Sequence, residues 1–157
     1  MIADTITAKI GDALKAKDEL RLSVLRMLSS ALNYEKIAKQ HDLNEQEEIA
    51  VVRREAKKRN DSIDSLKNAL GKQTSAGGDS EINVRIEKDQ KEIDILKEYL
   101  PAEMDETELQ KLVDDAISET GATSISDMGR VIGIVMGKAA GRVEGGKVSQ
   151  AVKNKLV

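Results

Sequence analysis

The side chains that could do chemistry are few in kind. The 157-residue chain has no cysteine and a single histidine, His41. Thiol nucleophiles and Cys-based or His-pair metal sites are therefore excluded, and with them most Ser–His–Asp schemes. Carboxylates are abundant, but Glu45, Glu47, Glu48, Asp105, Glu106 and Glu108 stand at helix starts. A negative charge there favours the helix dipole, so they read as caps and solvated faces. Asp114 and Asp115 are adjacent, and adjacent helical residues point about 100° apart, a poor pair for a cation. His41 falls between two helices and reads as a surface residue. No catalytic residue, metal site or cofactor is expected. What remains is glycine and positive charge near the C-terminus.

The stretch "MGRVIGIVMGKAAGRVEGGK" (128–147) carries glycine at 129, 133, 137, 141 and 145. Glycine in a helix interior costs roughly 0.8–1 kcal/mol against alanine. On a helical wheel, Met128, Val131, Ile132, Val135, Met136 and Ala139 form one apolar stripe. Gly129, Gly133 and Gly137 fall at about 100°, 140° and 180° from Met128, with Arg130 at about 200° and Lys138 at about 280°. The glycines thus form a strip of bare backbone beside the core stripe. A neighbouring helix, most simply 105–120, would pack on such a strip. Alternatively, a phosphate backbone would approach it, with Gly129, Gly133, Gly137 and Gly141 as close-approach positions and basic side chains at the rim. A loose, partly unwound segment is the third reading. The later rungs, Gly141, Gly145 and Gly146, have drifted around the wheel and are expected to end the helix and form the turn to the last one.

Charge changes sign at the same place. Residues 101–127 hold eight acidic residues and one basic one, whereas residues 128–157 hold six basic and one acidic. Such a switch can mark a phosphate-facing surface. The candidate nucleic-acid contacts are Arg130, Lys138, Arg142, Lys147 and Lys153. Arg142 and Lys138 are expected to matter most, since Arg142 sits past a helix end beside turn amides and arginine grips phosphate bidentately. Tyr34 and Tyr99 are the only aromatics, so a stacking platform for single strands is missing. An RNA partner would be read by shape and backbone, as a folded tRNA is; DNA is not expected. A second cluster, Arg53, Arg54, Lys57, Lys58 and Arg59, reads as a solvated face paired with Glu47, Glu48 and Glu55.

The elements that must position these residues read as helices. Hydrophobic residues make up 39% and charged residues 34% of the chain, a balance typical of solvated helical proteins. Apolar stripes at steps of three and four cover 2–17 (Ile2, Ile6, Ile10, Ala13, Leu14) and 19–39 (Leu22, Leu25, Leu28, Leu32). Asn44 with Glu47 has the form of a capping box. It opens a helix through Ile49, Val52, Ala56, Ile63, Leu66 and Leu70, interrupted by Arg59. "GKQTSAGGDSE" (71–81) reads as a flexible loop, and a further stripe follows from Ile82 to Leu100 with Asp89 within it. Pro101 makes "YLPAEMD" a hinge. Beyond it, Asp105 with Glu108 and Ser124 with Asp127 suggest further capping boxes, and Gly121 a left-handed cap. The expectation is an all-α chain. Residues 1–100 form an N-terminal antiparallel bundle, and residues 101–157 a small C-terminal three-helix domain. The longest apolar run, "VIGIVMG", is too short to cross a membrane. With no signal-like segment, a cytoplasmic location is expected.

Several motifs together, "YLP", "GATSISDMG" and "GR" followed by "GG" and a short last helix, with "LSVLRMLSSALNYEKI" and "KRNDSIDSL" upstream, resemble the YqeY-like proteins of the GatB/YqeY family. The resemblance covers essentially the whole chain. It implies an all-helical protein whose C-terminal part is similar to the tail of the B subunit of tRNA-dependent amidotransferases, which helps hold tRNA. It also implies the family label of carbon–nitrogen ligase activity with glutamine as amide donor. The family often has proline where this chain has Gly137, which would bend or end the helix there. Amide transfer needs a nucleophile and a phosphate-activating site, and no cysteine, P-loop or amidase signature stands in this chain. The leading expectation is a tRNA-interacting protein that is non-catalytic alone. The alternatives are a protein–protein adaptor without RNA, and an amidotransferase component whose catalysis is supplied in trans.

Overall fold

Asn44 and Glu47 cap each other. The Asn44 side chain accepts from the Glu47 amide at 3.0 Å, and the Glu47 carboxylate accepts from the Asn44 amide at 2.9 Å. Two of the donors orphaned at a helix start are thereby satisfied. The computed structural model describes residues 1–72 and 78–156. Among the described residues the chain is all-helical, with no strand: α1 (Ile2–Lys15), α2 (Glu19–Lys39), α3 (Glu45–Ala69), α4 (Gly78–Lys97), α5 (Glu106–Thr120), α6 (Met128–Ala139) and α7 (Gly145–Leu156). A 3₁₀ turn, Ile125–Asp127, precedes α6. α4 begins at Gly78, so residues 78–81 of the expected loop are helix; residues 73–77 of it lie outside the described residues. The chain divides into two compact units, Met1–Leu100 and Pro101–Val157.

In the first unit the apolar stripes of α1–α4 bury Ile6, Val24, Leu25, Leu28, Leu32, Val51, Val52, Ile93 and Leu96. Full burial of each large aliphatic side chain contributes roughly 1.5–3 kcal/mol. Leu14, placed on the stripe of α1, is instead exposed, because α1 ends one residue later at Lys15. Two stripe positions are charged, and the structure shows why they are tolerated. The Arg59 Nε donates to Glu92 at 2.7 Å, and its Nη1 donates to the Glu55 carbonyl at 2.8 Å. Asp89 accepts from Ser62 at 2.7 Å. The partners of α3 step down α4 as they step up α3, so the two helices run in opposite senses.

Arg59, Glu55, Glu92 and Asp89 are all buried. Arg54, Lys57 and Lys58 are exposed and Arg53 half-buried, so the basic cluster on α3 is the solvated face expected except at Arg59, which turns inward. Its ion pairs agree in part with those expected: Lys58 and Arg59 meet Glu55, whereas Arg54 meets Glu35 of α2 and Lys57 meets Asp61. Glu47 takes Lys39. Glu48 is wholly buried and accepts from the Ile2 and Ala3 amides at 2.6 and 3.0 Å. It caps α1 from another helix. His41 is exposed and its Nδ1 bonds the Asp42 carbonyl at 2.8 Å.

Removing one partner of a buried charge pair strands the other. We expect Arg59→Met or Glu92→Leu alone to lower stability by about 3–5 kcal/mol, and the double variant to recover most of that loss. Urea unfolding followed by circular dichroism measures it; additive losses would show that the two charges act independently. A second expectation concerns acid. Arg21 grips Glu98 through two bonds of 2.7 and 2.8 Å, and this hydrogen bond holds the Glu98 carboxyl below its ordinary range. The pair therefore stabilises above that ordinary range, and its contribution disappears as pH falls through the lowered value. Both side chains are partly exposed, so the loss is about 0.5–1 kcal/mol. Glu98→Gln should flatten the acid limb of the stability–pH curve by that amount.

Candidate nucleic-acid interface

Asp127 shapes the entry to α6. Its carboxylate accepts from the Thr123 amide at 3.3 Å and from the Ser124 hydroxyl at 3.4 Å. Ser124 itself makes no cap bond, so the expected capping box is absent. α6 then buries Val131, Val135 and Ala139 completely against α5 and α7, with Met128, Ile132 and Ile134 half-buried beside them. Met136, assigned to the same stripe, is partly exposed at its edge. The core partners are Leu109, Val113 and Ala116 of α5 and Val148, Ala151 and Val152 of α7.

Gly129, Gly133 and Gly137 lie on the opposite side, exposed. A Cβ built on any of the three meets no atom within 4 Å. The reading in which the strip packs against helix 105–120 is thus overturned: α5 covers the other face of α6. α6 also continues past Gly137 to Ala139, so it does not end at the family's proline position. Gly141 does not belong to the strip. It follows the left-handed Ala140 cap and is itself left-handed, with φ +77°. Gly145 and Gly146 open α7 rather than closing α6. Relative to alanine, three open glycines cost α6 about 3 kcal/mol, and no contact among the described residues offsets it.

The five candidate cations part company. Arg130 is exposed on the glycine side of α6 and has no ion pair among the described residues. Lys153, exposed on α7, likewise has none. The other three are engaged. Lys138 reaches Glu119 at 2.5 Å. Arg142 bonds Glu108 at 2.9 Å and the Ala102 carbonyl at 3.3 Å, while its own carbonyl accepts from the Met104 amide at 2.8 Å. Lys147 stands 3.6 Å from Glu103. Lys155 adds a fourth such pair, with Asp114 at 2.9 Å. The switch of charge sign is in large part complementarity within the unit. Arg142, expected to grip phosphate, instead fastens residues 102–104 and the first turn of α5. Glu108, expected to complete a capping box with Asp105, is its partner; Asp105 alone caps, accepting from the Glu108 amide at 2.7 Å. These acidic partners were missed because Glu119 and Lys138 are 19 residues apart and Glu108 and Arg142 are 34 apart, beyond any helical spacing rule.

A family model described as Yqey-like protein matches residues 3–156, and the chain belongs to that family. No curated protein matches the sequence. No helix among the described residues is long and apolar enough to cross a membrane.

The open space at the strip sets opposite signs for glycine replacement. Gly129→Ala, Gly133→Ala and Gly137→Ala should each stabilise the protein, by about 0.8–1 kcal/mol. Gly141→Ala should destabilise it by about 1–2 kcal/mol, because its left-handed backbone strains against a Cβ. Urea midpoints compare the four variants. Destabilisation by the first three would mean that the strip is covered.

Proposed function

We propose that this YqeY-like chain is a non-catalytic, cytoplasmic RNA-binding protein whose partner is structured RNA, tRNA foremost, met by the outer face of α6. Residues 101–157 act as a three-helix, amidotransferase-tail-like module, and residues 1–100 as an antiparallel bundle that accompanies it. The observation that carries this reading is the bare strip of Gly129, Gly133 and Gly137 with Arg130, unpaired among the described residues, beside it. Backbone without side chains lets a ribose-phosphate chain approach closely, and a free guanidinium at that place gives it a bidentate partner. Lys153 supplies a second charge without an ion pair among the described residues. Lys138, Arg142 and Lys147 contribute less, since transfer to phosphate would leave Glu119, Glu108 and Glu103 facing an anion. Glutamine-dependent carbon–nitrogen ligation, the family label, requires a nucleophile and an activating site from another chain.

A second reading rests on charge. Residues 101–157 hold nine acidic and seven basic residues, and a net-negative unit repels RNA at long range. A protein helix laid along the glycine strip, with Met136 and Ile134 at its margin, would make this chain an adaptor instead.

The discriminating measurement is a gel-shift series with tRNA at rising salt. We expect binding that weakens with salt on a shallow slope, roughly −2 in log–log terms for two phosphate contacts. Arg130→Ala with Lys153→Ala should lower affinity at least tenfold, and Lys138→Ala less than twofold. The triple glycine-to-alanine variant should bind more weakly although it is more stable. Equal binding by all variants refutes the assigned face. No tRNA binding at low salt, with a nuclease-resistant protein partner recovered through the strip, supports the adaptor.

A further inference from the structure

The second unit carries a cavity that the α6 reading does not use. A groove of about 330 Å³ lies between α5 and α7, at the small end of ligand-binding pockets. Its floor is apolar, made by Met104, Leu109, Val143 and Ala151. Its walls carry three carboxamides, Gln110 from α5 and the exposed Gln150 and Asn154 from α7, and at the rim one carboxylate, Glu106. Gln150 and Asn154 are four apart and so share one helix face. None of the three has a hydrogen-bond partner among the described residues. Lys147, held only loosely by Glu103 at 3.6 Å, lines the same groove.

Carboxamides are neutral, and each sets a donor beside an acceptor. A ligand that satisfies three of them over an apolar floor presents neutral polar edges and a flat apolar face. A phosphate or carboxylate has no such face. An extended peptide needs a longer track than this compact hollow. A nucleobase has both features, and the adjacent N6 donor and N7 acceptor of adenine match a carboxamide bidentately. Unstacked bases at loops and ends are the parts of RNA that proteins read by their edges.

We infer that the α5–α7 groove seats one unpaired nucleobase, adenine foremost, with its phosphate toward Lys147. That the base belongs to an RNA rests on the α6 reading; that the groove takes a base does not. The test uses the full chain labelled with ¹⁵N and follows the side-chain amide signals of Gln110, Gln150 and Asn154. Adenosine monophosphate should shift all three, uridine monophosphate should do so more weakly, and inorganic phosphate should not. Gln150→Leu with Asn154→Leu should weaken adenosine monophosphate at least tenfold at unchanged helicity, while Gln150→Ala alone keeps part of the shift at Gln110. Signals unmoved by the nucleotides, or moved equally by inorganic phosphate or by an acetylated tripeptide amide, overturn the inference. If tRNA still binds in that case, the α6 reading stands without the groove. If the nucleotide shifts the amides and tRNA does not bind, the groove takes a free nucleotide and the α6 reading falls.

Discussion

Helix α6 is held by one of its sides. Val131, Val135 and Ala139 are completely buried, whereas the far side offers three glycines to open space. The intrinsic preference of the segment opposes the helix, and burial against α5 and α7 imposes it. The second unit therefore depends on a small aliphatic centre built from valine and alanine, with Leu109 its one larger buried member. Valine restricts its own rotamers, so a centre of this kind holds its shape with little side-chain freedom left to lose. A rigid inner side is what allows the outer side to stay bare.

Electrostatics in this unit serves position before it serves any partner. α5 is acidic on more than one flank, and basic residues from the α6–α7 turn, α6 and α7 each meet a carboxylate there. Exposed pairs of this kind are individually worth little. Distributed around one helix they still favour one orientation of α5 over rotated alternatives. Under the proposed RNA-binding reading, charge engaged in this way is less available to phosphate, which would leave recognition to a few groups.

The parts of the fold that were legible in the sequence were those written in local spacing. The helix stripes, the Asn44–Glu47 box, the left-handed cap at Gly121 and the interruptions at Arg59 and Asp89 all follow from residues within a few turns of each other. What those interruptions do was not legible, because Glu92 lies 33 residues from Arg59 and Ser62 lies 27 from Asp89. For the same reason the acidic partners of Lys138 and Arg142 stayed hidden, and the change of charge sign looked outward when much of it points inward. The glycine strip was placed correctly on the wheel, but a wheel does not say whether a neighbour covers it. Gln110, Gln150 and Asn154 gave no signal at all, since neutral amides scattered over two helices make no pattern of charge or hydropathy.

Glu48 has a consequence for how the first unit assembles. Its carboxylate reaches across 46 residues to the Ile2 amide and 45 to the Ala3 amide, the donors that a helix start must otherwise leave to water. α1 thus lacks a cap of its own and acquires one only after α3 has docked. Contacts of such sequence separation form late, once the intervening chain has been ordered. α1 accordingly waits on its successor: made before α3, it gains its terminal anchor only when that later helix arrives to supply it.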